Sequence, residues 1–225
     1  MCGRFTSFLS PEILENTFGV KAPPNISPRF NIAPTQQVWI IRESATGGRY
    51  LPPARWGLVP HWAKDLSIGS RMINARCETV HEKPAFRQAI RARRCIVPAS
   101  GFFDWATTPS GKTPHYITMR DGSPLAFAGI WDSWKTAEGD VLESCAILTT
   151  AANSLVSTIH DRMPVLLHLT EFDLWLDRSV NNPEKLQRFY QSYPAELLQE
   201  WEVSTIVNSP AHEIPETIAS IQPKS

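Results

Sequence analysis

No stretch of the 225 residues approaches 18 consecutive apolar side chains, and the opening Met1-Cys2-Gly3-Arg4-Phe5 lacks the apolar run and cleavage site of a signal peptide. The expectation is a soluble, cytoplasmic protein with no membrane partner. The 4 cysteines, Cys2, Cys77, Cys95 and Cys145, form no C-x-x-C pair. That argues against a zinc ribbon, a thioredoxin-type motif and a disulfide framework, and Cys77, Cys95 and Cys145 read as small buried hydrophobes. There is no H-E-x-x-H, and His61, His81, His115, His168 and His212 are scattered without ligand spacing. Neither a P-loop nor G-x-G-x-x-G occurs, so no metal and no cofactor is expected. Internal repeats, low-complexity tracts and Gly/Ser linkers are missing too, which favours one domain. Net charge is the last absence: 22 Lys/Arg cancel 22 Asp/Glu, at first sight an argument against a nucleic-acid binder. The zero is a cancellation. Residues 1–100 hold 14 basic and 6 acidic residues, a net +8, and residues 101–225 hold 8 and 16, a net −8. This asymmetry predicts a polarised surface with one side suited to a polyanion.

What the chain has in excess is proline, 19 residues spread throughout, which works against long uninterrupted helices. Ser10 and Pro11 open a short helix that Gly19 closes. Strands are expected at Val38 to Ile41 and Arg55 to Val59, and a helix from Pro84 through Phe86 and Ile90 towards Arg91, Arg93 and Arg94. From Cys95 to Thr150 the texture is β-rich: Cys95 to Val97, Gly101 to Trp105, Tyr116 to Met119, Ala126 to Trp131 and Leu142 to Thr149. Turn signals at Ser110-Gly111, Asp121-Gly122 and Glu138-Gly139 separate several of these segments. Short helices follow at Asn153 to Ile159, Glu171 to Leu176, Pro183 to Tyr190 and Ala195 to Trp201, with Thr170 and Asn182-Pro183 as caps, and a last strand near Val203 to Val207. The class is α+β: a single domain, with a bent, predominantly antiparallel, barrel-like sheet and short peripheral helices.

Cys2 is the first residue with chemistry to offer, because loss of Met1 would leave an amine and a thiol on adjacent carbons. Free groups of these kinds titrate near ~7.7–8.0 and ~8.5, so both nucleophilic forms are accessible around neutrality. Such a 1,2-aminothiol acts either as the thiolate of an N-terminal-nucleophile hydrolase or as a trap for an aldehyde, imine first and thiazolidine second. An unprocessed, inert cysteine is the bland alternative. Three polar clusters stand in apolar surroundings: Ile73-Asn74-Ala75-Arg76, Gly101-Phe102-Phe103-Asp104-Trp105 and His160-Asp161-Arg162-Met163-Pro164. Asn74 suits an oxyanion or hydroxyl, Asp104 a proton shuttle or amine anchor, and His160 a general acid or base. Taken singly they fit a turn residue, a strand-end carboxylate and a core histidine equally well.

Together with Arg29-Phe30-Asn31-Ile32-Ala33-Pro34 and Arg55-Trp56-Gly57-Leu58-Val59-Pro60, these segments resemble the SOS-response-associated peptidase (SRAP) family of abasic-site processing proteins. The resemblance runs from Cys2 to about residue 210, leaving 211–225 as a C-terminal tail. It implies a DNA-damage sensor of abasic sites in single-stranded DNA that acts as a monomer. Such a protein removes its own Met1 and crosslinks Cys2 to the ring-opened sugar through a thiazolidine, with possible AP-lyase activity. Cys2 would be the nucleophile, Asn74 would bind the sugar hydroxyl, and His160 would promote ring opening, reversal or β-elimination. Where the family has Glu in its Gly-aromatic-aromatic-Glu-Trp motif, this chain has Asp104. The shorter side chain predicts a slower step, since a shortfall of about 1 Å can cost ~100-fold. Phosphate contacts would come from Arg4, Arg76 and Arg162, and stacking or wedging from Trp105, Trp62 and Pro34. Two rivals remain: a Cys2 amidohydrolase of the glutaminase type, separable by ammonia release from glutamine, and a non-catalytic single-strand-binding module in which Cys2→Ala changes nothing.

Overall fold

Ser10 caps as expected, its side-chain oxygen accepting the Ile13 N–H at 3.3 Å. Pro11 begins α1 (Pro11–Phe18), and Gly19 ends it in the left-handed region at φ 69°. The structure, a computed structural model, describes residues 2–44, 47–109, 111–136 and 138–221. Before α1 lies β1 (Arg4–Ser7); after it come β2 (Arg29–Ile32), β3 (Gln37–Trp39), β4 (Arg42–Glu43), β5 (Arg49–Tyr50), β6 (Pro53–Trp56) and β7 (Asn74–Arg76). The middle is α2 (Ala89–Ala92), β8 (Arg94–Ala99), β9 (Gly101–Thr108), β10 (Gly111–Met119), β11 (Leu125–Lys135) and β12 (Val141–Ala151). β13 (Arg162–Pro164), α3 (Phe172–Leu176), α4 (Pro183–Leu186) and β14 (Leu198–Glu202) complete the chain. The class is α+β, one domain, with the sheet curled into a half-barrel and a few short helices. No helix among the described residues is long and apolar enough to cross a membrane.

Two sheets carry the fold, one in the order β14-β10-β9-β1-β2 and one in the order β3-β6-β12-β11-β8. Phe5 and Phe102 of the first meet Trp56 and Phe127 of the second, with ring centroids 5.0 to 6.1 Å apart. On the second sheet Cys95, Val97, Phe127, Cys145 and Ile147 point into that shared core. The alternate residues Ile96, Ala126, Ala128, Ala146 and Leu148 point to a separate core with Leu14, Phe18, Phe172 and Trp175 of the helices. Burial on both faces is why these strands read as continuous apolar runs. A third cluster, Phe103, Tyr116, Val203 and Val207, backs the first sheet. Tyr116 also explains Gly101: a β-carbon there would lie 2.3 Å from the tyrosine ring, whose hydroxyl sits 2.7 Å from Thr6 Oγ1.

Four expected elements differ. Residues 79–88 form successive turns and only Ala89–Ala92 is helical, because Arg94 already pairs with Ile130 as the start of β8. Asn153 to Ile159 narrows to a 3₁₀ turn, Val156–Thr158. The helix expected over Ala195 to Trp201 stops after one 3₁₀ turn, Ala195–Leu197, and becomes β14, while the strand expected at Val203 to Val207 is a 3₁₀ turn, Thr205–Asn208. Pairing with β10 and the packing of Trp201 on Tyr116 at 5.3 Å override local propensity there. Asn182 caps α4, whereas the Thr170 cap is replaced by a His168–Glu171 box in which Glu171 Oε2 accepts the His168 N–H at 2.9 Å.

The two charge halves of the sequence are not two faces of the molecule. Each sheet mixes strands from both halves, and ion pairs join them: Arg29–Glu213, Arg42–Glu143, Arg49–Asp173, Arg93–Asp132 and Glu78–Arg162. Four of the 14 basic residues in the first half are thereby matched by acids of the second. Residues 211–221 of the segment set apart as a tail also pack: Glu213 accepts the N–H groups of Phe30 and Asn31, and Thr217 is fully buried.

Candidate active site at Cys2

Arg4 pairs with Phe103 and Phe5 with Phe102 in the β1–β9 ladder, so the chain leading into β1 runs beside Asp104 and Trp105. On the second sheet β12 holds the other half of the site. One edge pairs with β7, setting Asn74 opposite Ile147, and the other edge pairs with β13 just after His160. Asn74 is pinned by its neighbour, for the Ile73 carbonyl accepts both the Trp56 indole N–H and the Ile147 N–H, at 2.9 and 3.0 Å. This gives the Arg55-Trp56-Gly57 motif a role: it aims Asn74.

The two sheets meet at Cys2. Asn74 Nδ2 donates to the Cys2 carbonyl at 2.8 Å, while Asn74 Oδ1 is buried with no hydrogen-bond partner. Cys2 is fully buried, and burial first, then the Asp104 charge, push its thiol well above the ordinary range. Asp104 is 3% exposed, and its Oδ1 accepts the Trp105 N–H at 3.0 Å. His160 Nδ1 accepts the Arg162 N–H at 3.0 Å, which puts the proton of the neutral ring on Nε2. Asp161 Oδ1 lies 2.8 Å from the same Nδ1, but it is on a largely exposed side chain and gains a proton to accept only when the ring is doubly protonated. The fixed backbone contact decides the tautomer.

Gly3, Asp104, Trp105, Lys112, His160 and Asn208 line one open cleft of about 500 Å³. The four residues expected to be catalytic, Cys2, Asn74, Asp104 and His160, are thus gathered at one place. A narrower cavity of about 270 Å³ beside Phe5, Gln37 and Trp39 has Arg29 as its one titratable group, and that residue is paired with Glu213. It offers no comparable chemistry.

The expected DNA contacts divide. Trp105 lines the cleft, its indole N–H held by Asn208 Oδ1 at 2.8 Å. Arg76 is exposed and, two residues from Asn74 in a strand, shares its face. Arg4 instead donates to Asn31 Oδ1 and the Val207 carbonyl, each at 2.7 Å. Arg162 is bidentate to Glu78 at 2.5 and 2.8 Å and donates to the Thr149 carbonyl at 2.7 Å. Both arginines hold the site together. Trp62 is half exposed on the loop after β6 and Pro34 is half-buried in a turn, and neither lines the cleft. Sequence reading missed Gly3, Lys112 and Asn208; counting across the hairpin from its Ser110-Gly111 turn signal would have found Lys112.

Fold and site define a two-sheet α+β protein organised around a cysteine at the second position. The chain belongs to the SOS response associated peptidase (SRAP) family, whose model matches residues 1–210. It is 41% identical over 224 residues to the abasic site processing protein YoqW of Bacillus subtilis, covering 98% of this chain and 100% of that one. It is 28% identical over 273 residues to the abasic site processing protein HMCES of Pongo abelii, covering 98% of this chain and 76% of that one. Among solved structures, a protein from Bacteroides thetaiotaomicron superposes with a TM-score of 0.88 at 25% identity, covering 98% of this chain and all of the other.

Proposed function

We propose that this chain processes abasic sites in single-stranded DNA through the amine and thiol of Cys2, after removing its own Met1. The supporting observation is the meeting of Cys2, Asn74 and Asp104 beneath a cleft lined by Gly3, Asp104 and His160. An abasic sugar is a masked aldehyde. His160 hands its Nε2 proton to the ring oxygen while the C1 hydroxyl proton returns to Nε2 through water, so the sugar opens to the aldehyde and the imidazole ends neutral. The Cys2 amine, its proton taken up by Asp104, attacks the aldehyde and water leaves as the imine forms. The thiol then adds to the imine carbon and passes its proton to nitrogen, closing the thiazolidine. Asn74 holds the Cys2 carbonyl throughout, and its Oδ1 is placed to accept from a sugar hydroxyl. Burial and the Asp104 charge, which hold the thiol protonated while Met1 is in place, favour the order amine first, thiol second. Proton abstraction beside the imine by His160 would give β-elimination, the lyase outcome.

The test is incubation of the mature protein with a single-stranded oligonucleotide bearing one abasic site, followed by denaturation. A covalent species weighing the sum of the two partners less one water is expected. No adduct from protein whose mass proves the loss of Met1 overturns the reading.

A further inference from the structure

Lys112 is the one Lys or Arg among the residues that line the cleft beside Cys2. Its position follows from the β9–β10 hairpin, where Trp105 pairs with Pro114 and Thr107 with Lys112. Side chains alternate along a strand, so these four share a face, and Lys112 is the diagonal neighbour of Trp105 at about 7–8 Å. Lys112 is exposed at the rim, whereas Asp104 is buried within.

A DNA strand crossing this cleft must carry its phosphates past the Asp104 carboxylate, and that repulsion needs a fixed positive charge to offset it. Arg4 and Arg162 do not supply one, being bonded to Asn31, Val207, Glu78 and Thr149. We propose that Lys112 binds the phosphate flanking the abasic nucleotide, alongside Trp105 as the stacking wall. Lys112 then sets specificity: it favours an aldehyde carried on DNA over the same aldehyde on a free sugar. The assignment rests on the abasic-site reading above.

The experiment compares wild type, K112Q and K112R, each checked by mass for loss of Met1, on an abasic single-stranded oligonucleotide and on free 2-deoxyribose over a salt series. K112Q is expected to lower the ratio of oligonucleotide to sugar reactivity on the order of tenfold at low salt. Its salt dependence for DNA should be shallower by about 0.7, the loss of one phosphate contact. K112R should recover most of the ratio. An unchanged ratio and slope in K112Q overturns the assignment, and so does K112R reacting as poorly as K112Q. Wild type that forms no adduct with either substrate brings down the abasic-site reading and Lys112 with it.

Discussion

Cys2 and the Cys95–Cys145 neighbourhood are equally buried, and in each burial is the largest cause pushing the thiol up. Their surroundings differ. Cys95 and Cys145 face the core between the sheets, where Gly129 makes room: a β-carbon there would come within 2.9 Å of Cys95 Sγ. Cys2 lies at the open end of the same core, its carbonyl tied to Asn74 and its thiol facing the Asp104 charge. Burial alone therefore does not mark a reactive cysteine. What sets Cys2 apart from the other two is polar groups brought to it by two separate sheets, beside an open cleft.

The sharpest way to break this contrast is to remove each thiol. Cys2→Ala should abolish the covalent adduct on denaturing gels and leave the circular dichroism spectrum unchanged. Cys145→Ala should cost about 1 kcal/mol of stability and still form the adduct. Adduct formation by Cys2→Ala would move the chemistry to another residue and dissolve the comparison.

The next effect concerns the tie between the sheets. Asn74→Ala removes the donor to the Cys2 carbonyl and the unpartnered Oδ1 together, so crosslinking should slow on the order of 100-fold in single-turnover assays. Stability should fall by only about 1 kcal/mol, the worth of one hydrogen bond. A rate that tracks the stability loss alone would make Asn74 scaffolding, no different in kind from the groups around Cys145.

Asp104 is expected to show a smaller change. Asp104→Glu lengthens the carboxylate by one methylene and should preserve or raise the crosslinking rate, while Asp104→Asn, which removes the charge, should slow it about tenfold or more. If Asp104→Glu abolishes the adduct in a folded protein, the geometry around Cys2 is built for Asp, and the slower step expected from its shortness is wrong.

What the sequence revealed follows the range of the interactions. Strands between Cys95 and Thr149 were legible because apolar runs ended at local turn signals. β14 was not, since Leu198–Glu202 is a strand through its ladder to β10, some 80 residues earlier. The catalytic candidates were legible only as a set: Asn74, Asp104 and His160 each also fit a turn, a strand end or a core position, and the ordered motifs around them carried the reading. The fate of the arginines was hidden: the partner of Arg4 lies 27 residues away at Asn31, and that of Arg162 lies 84 residues away at Glu78. A basic residue carries no mark in one dimension of whether a carboxylate will reach it. The charge halves misled for the same reason, because ion pairs form between elements the sheets interleave.

The smallest effect tests the burial of Cys145 by stability alone. Burial pushes the Cys145 thiol up from its ordinary 9.0 to about 12. In the unfolded chain it ionises near the ordinary value, so between pH 9 and 12 the unfolded state has lost a proton that the folded state keeps. The unfolded state then binds fewer protons, and stability falls as pH rises. The contribution is present in full below pH 9 and is gone above about 12, with a slope of about 1.4 kcal/mol per pH unit between. Tyr116, also raised by burial, adds a slope of the same sign that is common to wild type and Cys145→Ala, whereas part of the Cys95 shift comes from the Cys145 charge and is lost in the variant. Denaturant titrations should therefore show a gap of about 1 kcal/mol in favour of wild type up to pH 9, which then closes at about 1.4 kcal/mol per unit and reverses at about pH 10, Cys145→Ala being the more stable protein above that. A gap that stays constant to pH 11 would mean that the Cys145 thiol reaches water in the native state, against the packing between the sheets that buries it.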